Sequence, residues 1–189
     1  MEKTKLGFAL CGSFCTFRKV IDEMRSLSEF YDITPILSEG AATTDTRFGK
    51  AFDFIKEIEE ITGKTPITTI KAAEPIGPKA LFDALLIAPC TGNTIGKLAN
   101  GITDSSVTMA AKAHLRNGRP LIIAVSTNDA LGASARNIGI LLNEKNVYFV
   151  PMKQDSPENK PRSVVADFSK SREAVEAALS GKQIQPIFL

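Results

Sequence analysis

Four short stretches of the chain are rich in Gly, Ser, Thr and Asn and contain no lysine or arginine. They are Gly12-Ser13, Ser38-Glu39-Gly40, Pro89-Cys90-Thr91-Gly92-Asn93-Thr94 and Ser126-Thr127-Asn128-Asp129. Such stretches offer bare backbone N–H groups and uncharged donors. That chemistry suits a phosphate held at a helix N-terminus, or the polar edge of a heterocycle. Gly7 and Gly12-Ser13 have the outer spacing of a nucleoside-triphosphate loop, but no lysine follows Gly12. There is no G-x-G-x-x-G either. A mononucleotide with one terminal phosphate, such as FMN, fits better. Gly12 lets the backbone come close to it and Ser13 can donate its hydroxyl. A plain strand-to-helix turn is the alternative reading of the same two residues.

Other reactive side chains are few. Cys11 and Cys15 are spaced C-x3-C, with Cys90 far off, and the one histidine, His114, is remote from all three. Thiolate metal sites usually need four ligands, so no metal site is expected. Ala110, Ala111 and Leu115 around His114 point to a packed helical position for it. Arg47 sits at a helix start, where a cation opposes the helix dipole. A substrate carboxylate or a neighbouring protomer would repay that placement, which makes Arg47 the candidate catalytic residue. Lys50, Lys97, Arg136 and, further out, Lys79 are the other cations available to an acidic substrate.

The elements that must position these residues alternate. Residues 6–11 read as a first strand. In 16–29 the apolar residues Phe17, Val20, Ile21, Met24 and Leu27 follow the helical period. A second strand is expected at 33–37, then a polar loop (SEGAATTDT). Thr46 is expected to cap a helix with Phe48, Phe52, Ile55, Ile58 and Ile61 on one stripe, closed by Gly63. Residues 67–70 suggest a short strand and AAEPIGPKA a loop. The continuous apolar runs 84–88 and 121–125 suit strands buried on both faces. Helix is expected from about 94 to 116, at 128–143 and at 168–179, with a strand at 147–150 and a mobile loop at QDSPENKP. This alternation predicts an α/β fold: a single-domain, doubly wound, Rossmann-like parallel sheet with helices on both faces. In such sheets ligands bind beyond the carboxyl ends of the strands, where the four stretches fall.

Composition narrows the function classes. The 189 residues suffice for one domain, 1–189, with a sizeable core. A net charge of +2, with no Trp and two Tyr, argues against nucleic acid and against a membrane surface. No apolar run is long enough to span a membrane, and the N-terminal stretch reads as a strand rather than a targeting segment. A cytoplasmic protein with reduced thiols is expected.

With the loops in place, the chain resembles the flavoprotein family of homo-oligomeric flavin-containing cysteine decarboxylases. Gly12-Ser13 and residues 89–94 carry the likeness. The latter is similar to that family's Pro-Ala-Ser-Ala-Asn-Thr motif, and KLANGITD (97–104) continues it. TGNT (91–94) also occurs in the phosphate loop of flavodoxins, but there it follows the first strand, so flavodoxin identity does not follow. A closer resemblance, over essentially the whole chain, is to the branch of the family serving dipicolinate formation in endospore-forming bacteria. It rests on TTDTRFGKAFDFIKEIEEITGK, AEPIGPK, IAPCTGNTIGKLANGITDS, VSTNDALG and GKQIQP in that order.

The resemblance implies FMN binding and oxidation of dihydrodipicolinate to dipicolinate. NADP would be bound by a separate partner, the A subunit of the synthase, in the mother cell of a sporulating bacterium. It also implies a homo-oligomer, trimeric or higher, and a small dicarboxylate substrate. The flavin-contact set it suggests is Gly12, Ser13, Ser38, Thr91, Asn93, Thr94, Ser126, Thr127 and Asn128. Helix capping is the other role open to Asn93, Thr94, Ser126, Thr127 and Asn128, and capping is the expected role of Asp129. The decarboxylating members use an early histidine that this chain lacks, so a decarboxylase or other lyase, or a non-catalytic flavin-binding partner, stand as alternatives.

Overall fold

Seven strands and eight α-helices appear in a computed structural model that describes residues 3–189. Five strands run parallel in the order β2-β1-β3-β4-β5: β1 (Thr4–Leu10), β2 (Tyr31–Leu37), β3 (Ala84–Cys90), β4 (Leu121–Thr127) and β5 (Val147–Phe149). The chain leaves β1 toward β2 and returns on the other side of β1 as β3. The strand order therefore reverses between β1 and β3, where a crevice opens beyond their carboxyl ends.

Side-chain alternation along these strands splits the core into two layers. Leu6, Phe8, Leu10, Leu86, Ala88, Ile122 and Ala124 face α1 (Phe17–Ser28), α3 (Ala51–Thr62) and α8 (Ser171–Leu179). Ala9, Leu85, Ile87, Leu121, Ile123 and Val125 face the opposite layer. That layer holds α4 (Ile70–Ala73), α5 (Gly92–Ala99), α6 (Ser106–Leu115) and α7 (Ala133–Leu142). Every residue of β3 is buried, as expected of a central parallel strand covered on both faces.

The sheet is not wholly parallel. QDSPENKP is no mobile loop; it belongs to a hairpin of β6 (Met152–Ser156) and β7 (Lys160–Ala166). β7 pairs antiparallel with the end of β4 through Ser126–Val165 and Thr127–Val164, so the hairpin stands over the carboxyl end of the sheet.

Local interactions shift other elements from their expected places. Ser38 Oγ accepts from the Ala41 N–H at 3.3 Å and turns part of SEGAATTDT into α2 (Glu39–Thr43). Thr46 does not cap α3. It pairs with Gly49 in a tight turn, and the Asp45 carboxylate accepts the Ala51 N–H at 2.9 Å instead. The helix starts later, so Ala51, Phe54 and Ile58 are buried while Phe48 and Phe52 stay exposed. Ile67 makes only a single bridge to Ile36, and Thr69 caps α4, so 67–70 is not a strand and AAEPIGPKA is partly helical. The expected helix at 94–116 is two helices, broken at Gly101 (φ +68°) and restarted by a capping box at Ser105. Helix α7 begins only at Ala133, because 128–132 forms a turn closed by the Gly132 N–H on the Asp129 carbonyl at 2.8 Å.

Candidate functional site

A cavity of about 950 Å³ lies beyond the carboxyl ends of β1, β3 and β4, at the reversal of strand order. Three of the four Gly/Ser/Thr/Asn stretches line it: Gly12-Ser13, Thr91-Gly92-Asn93 and Ser126-Thr127-Asn128 with Asp129. Their approach is visible as a hydrogen bond. The hydroxyls of Ser13 and Ser126, 113 residues apart, lie 2.9 Å from each other. Gly12 supplies bare backbone: a Cβ there would meet only the ring of Phe14, itself a lining residue, at 3.4 Å.

The second stretch is a helix start. Thr91 is the N-cap of α5, its hydroxyl accepting from the Thr94 N–H at 3.4 Å. Thr94 itself does not line the cavity. It is buried one turn into the helix, receives the Thr91 hydroxyl at 3.2 Å and donates its own to Cys11 Sγ at 3.2 Å. The residue therefore anchors the loop to β1 from below. Ser38 is also outside the lining: β2 lies on the far side of β1 from the crevice, and its hydroxyl caps α2.

The third stretch is held by a carboxylate. Asp129 Oδ1 accepts the hydroxyls of Thr127 (2.5 Å) and Ser134 (2.9 Å). Gly92 is forced to be glycine by this cluster, because a Cβ would lie 2.7–2.8 Å from all three side-chain oxygens. So Asp129 does not cap α7 with its side chain, as expected from the sequence; it ties the β4 loop to α7 and to the start of α5.

Cations also line the cavity. Arg47 lines it, with its guanidinium 4.9 Å from the centre of the Phe48 ring. Lys19 on α1 and Lys160 on β7 line it too, and Lys160 is paired with Asp155 at 2.7 Å. None of Lys50, Lys79, Lys97 and Arg136 does, and Lys97 is held by Asp104 at 2.8 Å. Sequence reasoning thus misses Lys19, Lys160, Gly92 and Asp129 as candidate ligand contacts. Lys19 lies in the first turn of α1, the helix that follows the Gly12-Ser13 loop, so a cation there is the one readable signal.

The thiols and the histidine take no part in lining chemistry of the metal-ligand kind. Cys11 and Cys90 are buried beneath the cavity, and burial together with Cys11 pushes the Cys90 thiol up. Cys15 is exposed at the cavity wall. His114 sits by Pro120, ahead of β4, at the other end of the sheet. Among the described residues no group of three or more potential metal ligands forms. Nor is any helix among them long and apolar enough to cross a membrane.

The chain is 44% identical to the B subunit of dipicolinate synthase from Bacillus subtilis (strain 168), over all of this chain and 95% of that one. It superposes with a TM-score of 0.91 on the crystal structure of the dipicolinate synthase B subunit from Bacillus halodurans C, at 44% identity, covering 100% and 98% of the two chains. The FMN-dependent cysteine decarboxylase SpaF shares the fold at 24% identity, with a TM-score of 0.64 and coverage of 93% and 97%. The model of the Flavoprotein family matches residues 1–169, and with full-length likeness on both sequence and structure the chain belongs to that family.

Proposed function

We propose that this chain is the flavin-binding component of a two-component dipicolinate synthase, and that its cavity holds FMN. The carrying observation is the cavity at the β1/β3 reversal, lined by neutral donors and bare backbone and flanked by Lys19 and Arg47. Those residues fit the group. Gly12 leaves its backbone open, Ser13 and Ser126 present hydroxyls, and α5 directs its first N–H groups and dipole toward the same space. The full-length likeness to the B subunits of dipicolinate synthase supports the substrate.

In this reading the flavin supplies a two-electron acceptor for an aromatising oxidation, and the protein supplies binding and orientation. Gly12, Ser13, Thr91, Asn93 and Ser126 hold the cofactor. Thr94 and Asp129 fix the loops from behind. Arg47 meets a carboxylate of dihydrodipicolinate through a forked hydrogen bond, a geometry that lysine lacks. A partner polypeptide carries NADP, and the chain acts as a homo-oligomer. No histidine lines the cavity, which argues against the decarboxylase reading.

The test is direct. The purified chain is mixed with FMN and followed by quenching of flavin fluorescence. Dipicolinate formation is then assayed with NADP and the nicotinamide-binding partner, with flavin present and stripped. Stoichiometric FMN uptake and flavin-dependent turnover are expected. A chain that takes up no FMN removes the site assignment, and a flavin-free complex of full activity removes the catalytic flavin.

A further inference from the structure

The Asp129 carboxylate is more than a brace. Its Oδ1 is saturated by two donated hydroxyls, from Thr127 and Ser134. Its Oδ2 accepts from no donor among the described residues. No buried side-chain oxygen or nitrogen among them lacks a partner, so Oδ2 keeps contact with open space, and Asp129 lines the cavity. The carboxylate cannot retreat, because Gly92 packs its bare Cα side against Oδ1, Ser134 Oγ and Thr127 Oγ1 together. The result is a held, acceptor-only oxygen in a wall rich in donors, whose other carboxylate, Asp155, is already paired with Lys160.

Such an oxygen selects what lies next to it. A phosphate is repelled, and is better served by Lys19 and the bare backbone at Gly12. The pyrimidine edge of an isoalloxazine shows one N–H between two carbonyl oxygens, and those oxygens oppose a carboxylate. A chain of hydroxyls has donors to give and nothing that opposes. We propose that Asp129 Oδ2 accepts a hydrogen bond from the ribityl hydroxyls of the bound flavin, and so sets the direction in which the cofactor lies. This inference rests on the proposed flavin site.

The experiment crosses two proteins with two ligands. FMN and a 5′-phosphopentyl flavin, which keeps ring and phosphate but has no hydroxyls on the chain, are titrated into the full-length wild-type chain and into Asp129→Ala. For a hydrogen bond to a charged acceptor, wild type should bind FMN roughly ten- to a hundredfold more tightly than the analogue. In Asp129→Ala that preference should largely vanish, whatever the loss of the brace costs both ligands in common. A merely bracing carboxylate would weaken both ligands by the same factor and leave the preference for FMN undiminished, and that outcome overturns the proposal. Asp129→Asn keeps an acceptor for Thr127 and Ser134 and serves if the alanine variant does not fold; its preference for FMN should fall between the two. If the wild-type chain binds neither ligand, the flavin site itself fails. If it binds FMN and the preference survives mutation, only the role of Asp129 fails.

Discussion

Lowering the pH should destabilise this protein through His114 alone by a calculable amount. The ring is 1% exposed, at the end of α6. Its Nε2 lies 3.0 Å from the Pro120 carbonyl oxygen, which can only accept, so Nε2 carries the proton of the neutral ring. Burial lowers its pKa from 6.5 to about 4. The Pro120 contact and Asp83 oppose the change, and nearby Arg119 adds to it. The folded value is below the unfolded one, so between them the unfolded chain binds more protons. Stability is then full above pH 6.5 and is lost as the pH falls through that window. The loss is about 2 kcal/mol between pH 7 and pH 5, and about 3 kcal/mol once both states are protonated. Other groups titrate too, so the observable is a difference. Urea midpoints of wild type and His114→Gln, whose amide keeps a donor for Pro120 but does not titrate, are compared from pH 8 to pH 5 at one protein concentration. The gap between the two free energies should shift by about 2 kcal/mol in favour of the variant at pH 5. Parallel curves would refute the reasoning, and a loss of flavin uptake at pH 7 would refute the placement of His114 away from the site.

Gly92→Ala should weaken FMN binding and cost about 1–3 kcal/mol of stability, since its Cβ would press on three fixed oxygens; calorimetric titration and a thermal melt read the two effects. Arg47→Ala should leave flavin uptake intact and reduce diacid turnover through a raised KM, and unchanged turnover would take Arg47 out of the site. Phe54→Ala should cost about 3–5 kcal/mol, because this buried ring meets Phe17 edge-on at 5.3 Å and docks α3 on α1; a urea midpoint close to wild type would show that α3 is held elsewhere.

The parallel strands are legible because strands buried on both faces must be apolar throughout, and 84–88 and 121–125 can be little else. The loops that follow β1, β3 and β4 are legible for the same reason: a strand ending in Gly, Ser, Thr and Asn points to its own carboxyl end. Legibility fails where one local bond moves the register. Asp45, rather than Thr46, starts α3, and this moves the buried positions from Phe48 and Phe52 to Ala51 and Phe54. It fails again for β6 and β7, whose exposed residues Lys153, Gln154 and Asp155 and Lys160, Pro161 and Arg162 show no alternation. Those strands are held by long-range pairing to the end of β4, which no local pattern announces. Ser38 and Thr94 are misplaced for a topological reason. Composition marks both as strand-end hydroxyls, but only the strand order shows that β2 stands one strand away from the crevice, and only the helix phase turns Thr94 inward to Cys11.

Charge at the cavity carries the proposed function one step further. Among the described residues Lys19 and Arg47 make no ion pair, while Lys160 is engaged by Asp155. The phosphate of FMN brings about 1.5 to 2 negative charges at neutral pH, and a dicarboxylate brings about two more. Lys19, with the partial positive charge at the start of α5, serves the phosphate, and Arg47 alone is left for the two carboxylates of the diacid. The second carboxylate of the diacid is then left in a cavity whose remaining lining includes Asp129 and Asp155, a placement that electrostatics opposes. Cations from outside this chain remove the deficit. On this reasoning the chain binds its cofactor unaided but needs a second polypeptide to complete its hold on the substrate. Adding that partner should then tighten equilibrium binding of the diacid to the FMN-loaded chain without changing the Kd for FMN; a partner that alters FMN affinity alone would contradict it.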